Sequence, residues 1–201
     1  PYTTLFRSVE ALSTPTRGTL HALASDDLDG DDALGQPAHV EIRFGGEPVR
    51  HFHFIVAAFR FVGLSRDARR RYTVDLAHEL QPLSLRADVR MFQEKDAKEI
   101  VAEVLDGASI AADHLSYSLR RKLSKRTYCV QYRESDFNFV SRLMEEEGIW
   151  YYFTHTDSQH TLVLANGASG HVELPESTLY WSFAQTEHVR EDIVTEWGKS
   201  Q

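Results

Sequence analysis

Residues 128–153 read YCVQYRESDFNFVSRLMEEEGIWYYF, and the spacing of apolar positions changes twice within them. Tyr128 to Arg133 alternates as a strand does. Ser135 is suited to cap a helix, on which Phe137, Val140, Leu143 and Met144 share a face, and Gly148 ends it. Ile149 to Phe153 returns to extended structure and predicts a hairpin with Thr161 to Ala165 around Asp157-Ser158. Cys129 lies inside the first strand, whereas a reactive thiolate usually sits at a helix start beside a base, so a buried structural cysteine is expected. The aromatic run Ile149 to Phe153 follows a helix directly and is read as core or interface packing rather than a carbohydrate platform. Glu145, Glu146 and Glu147 fill the last helical turn, where the macrodipole disfavours negative charge. Either a cationic neighbour or plain exposure to water accounts for them.

Before this unit the pattern is strand after strand. Thr19 to Ala24, His39 to Phe44, Val49 to Val62, Tyr72 to Leu76 and Leu83 to Val89 read as strands, with Gly45-Gly46 as a hairpin turn. The run from Val49 is too long for one average strand, which predicts a bend or bulge. This spacing suggests a small antiparallel barrel or sandwich. Ala97, Ile100, Val101, Val104 and Leu105 then fall on one helical stripe, with Asp96 and Glu99 as a capping box and Gly107 as the expected left-handed residue after the end. The fold class is therefore α+β, mainly β. Residues 1–92 form a first barrel, 93–165 an α+β domain, and 166–201 a linker with the start of an incomplete second barrel.

The chain has 201 residues, 42% of them hydrophobic, and a net charge of −8. Disorder is excluded as the main reading, and the charge sign argues against nucleic acid or an anionic membrane as a partner. One cysteine builds neither an internal disulfide nor a Cys-based zinc site, and fits folding in a reducing compartment. The longest apolar run, Phe54 to Phe59, is far short of the roughly 20 residues that span a bilayer. No signal peptide or membrane anchor is expected.

Candidate chemical sites are few. Residues 26–32 carry five carboxylates, but an EF-hand counted from Asp27 would place Asp32 where Gly is required and Ala38 where Glu is required, so this reads as a solvated loop. His51 and His53 point to one face of a strand, yet a metal needs a third ligand and none can be assigned, so they read as ordinary barrel histidines. No HExxH, GxSxG or phosphate-binding glycine loop occurs. The cluster Arg120 to Arg126 holds five cations in seven residues and reads as a solvated segment or a patch for an acidic partner.

The stretch Tyr128 to Phe153 resembles the signature of the VgrG family, the valine-glycine repeat proteins that form the spike of the bacterial type VI secretion system. The matching positions are Tyr128, Val130, Gln131, Tyr132, Arg133, Glu134, Ser135, Asp136, Phe137, Phe139, Leu143, Glu145, Glu146, Gly148, Tyr151, Tyr152 and Phe153. Weaker similarity covers 10–13, 34–37, 52–60, 91–93, 160–165 and 191–197. The resemblance implies a structural protein without catalytic residues, cofactor or metal. Its barrels resemble the hub of contractile phage tail baseplates and would trimerise into a pseudo-six-fold ring. That ring would cap the haemolysin-coregulated protein tube, contact other baseplate components and carry effectors or adaptors. Assembly would occur in the bacterial cytoplasm, followed by secretion or injection into a target cell. A phage or tailocin hub shares this architecture, and an enzymatic effector domain could follow residue 201. Two departures stand out: Phe54 replaces a usual Gly, which puts the local bulge in doubt, and the chain stops before the second barrel can close, without the oligonucleotide/oligosaccharide-binding-type domain and the β-helical needle. Such a fragment is expected not to trimerise alone.

Overall fold

The computed structural model describes residues 2–171 and the short strands Tyr180–Trp181 and Ile193–Val194. Residues 1–170 and 171–201 form two compact units. In the first, β1 (Tyr2–Ala11), β2 (Thr14–Ala24), β3 (Pro37–Phe44), β4 (Glu47–Leu64) and β5 (Arg70–Ala77) make one antiparallel sheet in the order β1-β2-β5-β4-β3. A single helical turn, α1 (Gly30–Ala33), sits between β2 and β3. The sheet is a curled half-barrel, and β1 was not foreseen from the sequence.

The curl is built into β4. Its first half pairs with β3 and its second half with β5, handing over at Ile55. Register shifts at Val56/Ala58 and Phe61/Gly63 supply the expected bulges, the second at Gly63 with φ 118°. Bulges bend a strand and increase its twist, so one 18-residue strand can turn the corner between two neighbours. Phe54 does not prevent this: it is buried with Phe52, Val56, Val74 and Leu76 in one core cluster. The five carboxylates of the aspartate-rich segment are exposed, as the solvated-loop reading expects, and two of them anchor it. Asp29 caps α1, and the Tyr72 hydroxyl donates to Asp27 at 2.9 Å while accepting from the Leu28 N–H.

A second core follows. β6 (Ala87–Lys95) pairs with β8 (Arg126–Ser135), and β7 (Leu115–Ser118) runs parallel to β10 (His160–Ala165), which pairs with β9 (Trp150–His155) as the expected hairpin. Helices α2 (Ala97–Asp106) and α3 (Asp136–Glu146) pack on each other and on the β6–β8 ribbon, with Phe92 stacked on Phe139 at 5.6 Å, and share one core with Tyr151, Leu162 and Leu164 of the hairpin. Asp96 and Glu99 form the capping box, and Ser135 Oγ accepts from the Asn138 N–H. Cys129 is buried in this core.

Two local expectations are corrected. Gln81–Leu85 is a 3-10 turn and β6 starts only at Ala87. Pro82 fixes a helical φ at the first turn, where its missing N–H is harmless, and Leu83 is driven fully into the core. Gly107 has φ −61°, so it is not left-handed. The chain takes one more turn and closes at Ser109, φ 63°, with the Ile110 N–H donating to Leu105 O at 3.1 Å. Gly148 meets expectation: φ is 61°, and the Ile149 N–H donates to Met144 O at 2.7 Å.

Tyr180–Trp181 and Ile193–Val194 form a short parallel pair in the second unit. The remainder of the expected second-barrel start lies outside the described residues. Among the described residues, no helix is long and apolar enough to cross a membrane.

Candidate functional site

The signature unit is held by a buried polar knot. Alternation along β8 turns Cys129 and Gln131 inward, and Gln131 is fully buried. A buried amide must find partners. Gln131 Nε2 donates to Glu134 O at 3.0 Å and to Asp136 Oδ1 at 2.8 Å, while Oε1 accepts from Arg90 Nε at 2.9 Å and Nη2 at 2.7 Å. Asp136, 1% exposed, begins α3, where the macrodipole favours a carboxylate. It also accepts from Arg90 Nη2, and its Oδ2 lies 3.5 Å from Arg86 Nε. Phe139 and Leu143 are fully buried and Tyr151 nearly so, while Phe137, Tyr152 and Phe153 are half-buried.

The same alternation turns Tyr128, Val130 and Tyr132 outward. They pair across the ribbon with Gln93, Met91 and Val89, so an apolar stripe lies on the solvent side of β6 and β8. Arg133 forms the bulge opposite Asp88 and Val89, at φ 51°. The glutamates at the end of α3 meet cations within the chain. Arg126 donates to Glu146 at 2.7 Å and to Glu147 at 2.9 Å, and Arg142 bridges Glu134 and Glu146. The Arg126 guanidinium, ahead of Arg142, holds the Glu146 carboxyl below its ordinary range. Arg121 donates to the Glu147 carbonyl. Arg126 of the basic cluster, together with Arg142, thus neutralises Glu146 and Glu147, and Glu145 stays exposed.

A second constellation was missed in the sequence. His51 and His53 do share a face of β4, but they belong to a ribbon that joins seven histidines among the described residues. His39 stacks on His51 at 5.2 Å and on His53 at 4.6 Å. His53 lies 5.9 Å from His160, which in turn neighbours His78 at 4.7 Å, His114 at 4.8 Å and His155 at 6.1 Å. The ribbon crosses the seam between the two cores, where the His53 N–H donates to His155 Nδ1 at 3.2 Å and the Ser13 N–H to Tyr151 O at 2.8 Å. Burial, reinforced by neighbouring rings, pushes His78 down to about 2 and His155 to about 4.

Glu79 stands at the centre of the deeper end. Its Oε2 lies 3.0 Å from His114 Nδ1, and its Oε1 lies 2.6 Å from His160 Nε2. Burial raises its pKa, but the contacts with His160 and His114 outweigh burial and hold the carboxyl below its ordinary range. A cavity of about 300 Å³ opens beside Glu79, His114 and His160. His78, Glu79 and His160 could together hold a metal ion. The available signal was the hairpin itself, in which His155 and His160 face each other directly.

A family model described as the phage tail baseplate hub (GPD) matches residues 9–201. The chain belongs to the phage tail baseplate hub family. Among its relatives, the type VI secretion system spike protein VgrG1b of Pseudomonas aeruginosa is 39% identical over 169 residues, covering 83% of this chain and 22% of the relative. Among solved structures, the E. coli c3393 protein is similar with a TM-score of 0.78 and 24% identity, over 83% of this chain and 46% of that one. It is described as a type VI secretion component with structural similarity to T4 bacteriophage tail proteins gp27 and gp5. The 43 kDa tail protein of prophage MuSo2 from Shewanella oneidensis gives a TM-score of 0.51 at 16% identity, over 79% of this chain and 46% of that one. This hub-family chain spans about a fifth of the length of the curated relative and under half of each solved chain.

Proposed function

We propose that this chain is the hub part of a type VI secretion spike, a structural protein that works through shape and symmetry-matched interfaces. The observation that carries the reading is the hub-family match over residues 9–201 combined with the spike-protein relative at 39% identity. The structure supports a scaffold role at residue level, because signature residues Gln131, Asp136, Phe139 and Leu143 are used internally to fix α3 against β8. Within the full-length protein, three copies assemble around an axis, cap the haemolysin-coregulated protein tube and bind baseplate components, effectors or adaptors. Assembly takes place in the bacterial cytoplasm, and contraction then delivers the spike with the tube. A more distant reading is a spike that carries an enzymatic effector domain beyond residue 201.

The tail protein of prophage MuSo2 favours a second reading, the baseplate hub of a contractile phage tail or tailocin. Deleting the gene in its host separates the two. Loss of tube protein from the culture supernatant, restored by complementation, is the expected result. Unchanged export of the tube protein overturns the secretion reading, and loss of tailed particles selects the phage one.

A further inference from the structure

We infer that His78, Glu79 and His160 form a binding site for a transition-metal ion of the zinc type, which staples the half-barrel to the α+β core. The three residues reach one point from distant parts of the chain. His78 and Glu79 directly follow β5, and the His78 N–H is tied to Thr16 O of β2 at 3.2 Å. His160 opens β10 on the other side of the seam.

One ligand atom from each lies within 4.8 Å of the other two. A tetrahedral site with metal–ligand bonds near 2.0–2.1 Å places its ligands about 3.3 Å apart, so the widest pair closes by about 1.5 Å at most while His160 Nε2 and Glu79 Oε1, now 2.6 Å apart, open by about 0.7 Å. The second observation is the unmet valence of these atoms. His78 is fully buried and His160 is 8% exposed. His78 Nε2, Glu79 Oε1 and His160 Nε2 are all sealed from solvent and make no aligned hydrogen bond. The 2.6 Å approach of His160 to Glu79 therefore brings the two groups together without the ring N–H pointing at the carboxylate. Buried polar atoms rarely stay unsatisfied, and three converging on one point are the donor set of a metal centre.

The surroundings fit the same reading. His114 Nδ1 holds the other Glu79 oxygen, as an outer-shell partner orients a ligating carboxylate. Phe153 packs on the His78 ring at 3.6 Å and fixes its plane. Ligation through His78 Nε2 places the ring proton on Nδ1 and gives up only a long 3.4 Å contact from the Leu80 N–H. The cavity beside Glu79 and His160 provides an entry path and lets water complete the shell. Two imidazoles and one carboxylate suit zinc and cobalt better than calcium or magnesium. The inference stands on these residues and not on the secretion reading.

The test uses the untagged chain, treated with chelator and titrated with Co2+ followed at its visible d–d bands. One Co2+ per chain with a tetrahedral spectrum is expected, displaced by Zn2+, together with a higher melting temperature in the metal-bound protein. Glu79→Gln and His160→Gln should each lose the spectrum, with folding checked by circular dichroism, while His51→Gln retains it. No binding by the wild type overturns the inference, as does a spectrum that survives in both variants or is lost only in His51→Gln. Should both variants fail to fold, the wild type decides: a melting temperature lowered by chelator and restored by Zn2+ supports the site, and one unaffected by either refutes it.

Discussion

Gln131 donates its side-chain amide to the carboxylate of Asp136 at 2.8 Å, with both side chains sealed from solvent. Five residues apart in sequence, they join the end of β8 to the first turn of α3, and Arg90 closes the knot from β6.

Breaking this knot from one side should be costly. Asp136→Ala leaves the Arg90 guanidinium without its counter-charge and is expected to lose about 3–5 kcal/mol. Gln131→Leu strands hydrogen-bonding groups on both neighbours and should lose about 1–3 kcal/mol. Urea denaturation of both single variants and the double measures the coupling. Losses that simply add would contradict a shared network.

The acidic end of α3 separates paired from unpaired charge. Arg126→Ala removes contacts to both Glu146 and Glu147 and should cost about 1 kcal/mol, less at high salt. Exposed Glu145 gains nothing from its position at a helix C-terminus, so Glu145→Lys should be neutral or stabilising by up to about 0.5 kcal/mol. Thermal melts at two salt concentrations test the pair. A large loss for Glu145→Lys would show that its charge is needed.

Both long helices end on a left-handed residue, but only one uses glycine. Ser109→Gly should add up to about 1 kcal/mol by relieving the side-chain clash at φ 63°. Gly148→Ala should lose about 1 kcal/mol for the opposite reason. Comparing melting temperatures of the two variants with wild type suffices. Equal, small effects would argue that neither end controls stability.

Signature residues should divide sharply by the face they occupy. Phe139→Ala removes a fully buried ring stacked on Phe92 and should cost about 3–5 kcal/mol. Tyr132→Ser, at a position 61% exposed, loses its cross-strand contact with Val89 and the Arg133 guanidinium 5.3 Å from its ring centre, about 1 kcal/mol together. Denaturant midpoints check the contrast, and comparable losses would mean that the outward stripe is part of the core.

Much of this was legible because it is written at short range. The capping box at Asp96 and Glu99, the Ser135 cap and the left-handed Gly148 each depend on residues within one helical turn. The long β4 announced its bulges by length alone. The turn at Gln81–Leu85 was misread because the alternation of Leu83 and Leu85 mimics a strand, while Pro82 and one buried leucine decide otherwise.

By itself, the sequence determined the mainly β class, the two capped helices, the hairpin after α3 and the signature that carries the family resemblance. These follow from periods of 2 and 3.6 and from side chains that bond to their own backbone neighbours. Only the tertiary structure decided the partners of the α3 glutamates, the inward and outward roles of the signature residues, and the meeting of His78, Glu79 and His160. That meeting depends on strand register and on how two cores dock across their seam. No local spacing encodes the distance between residues that are brought together only when both cores have formed.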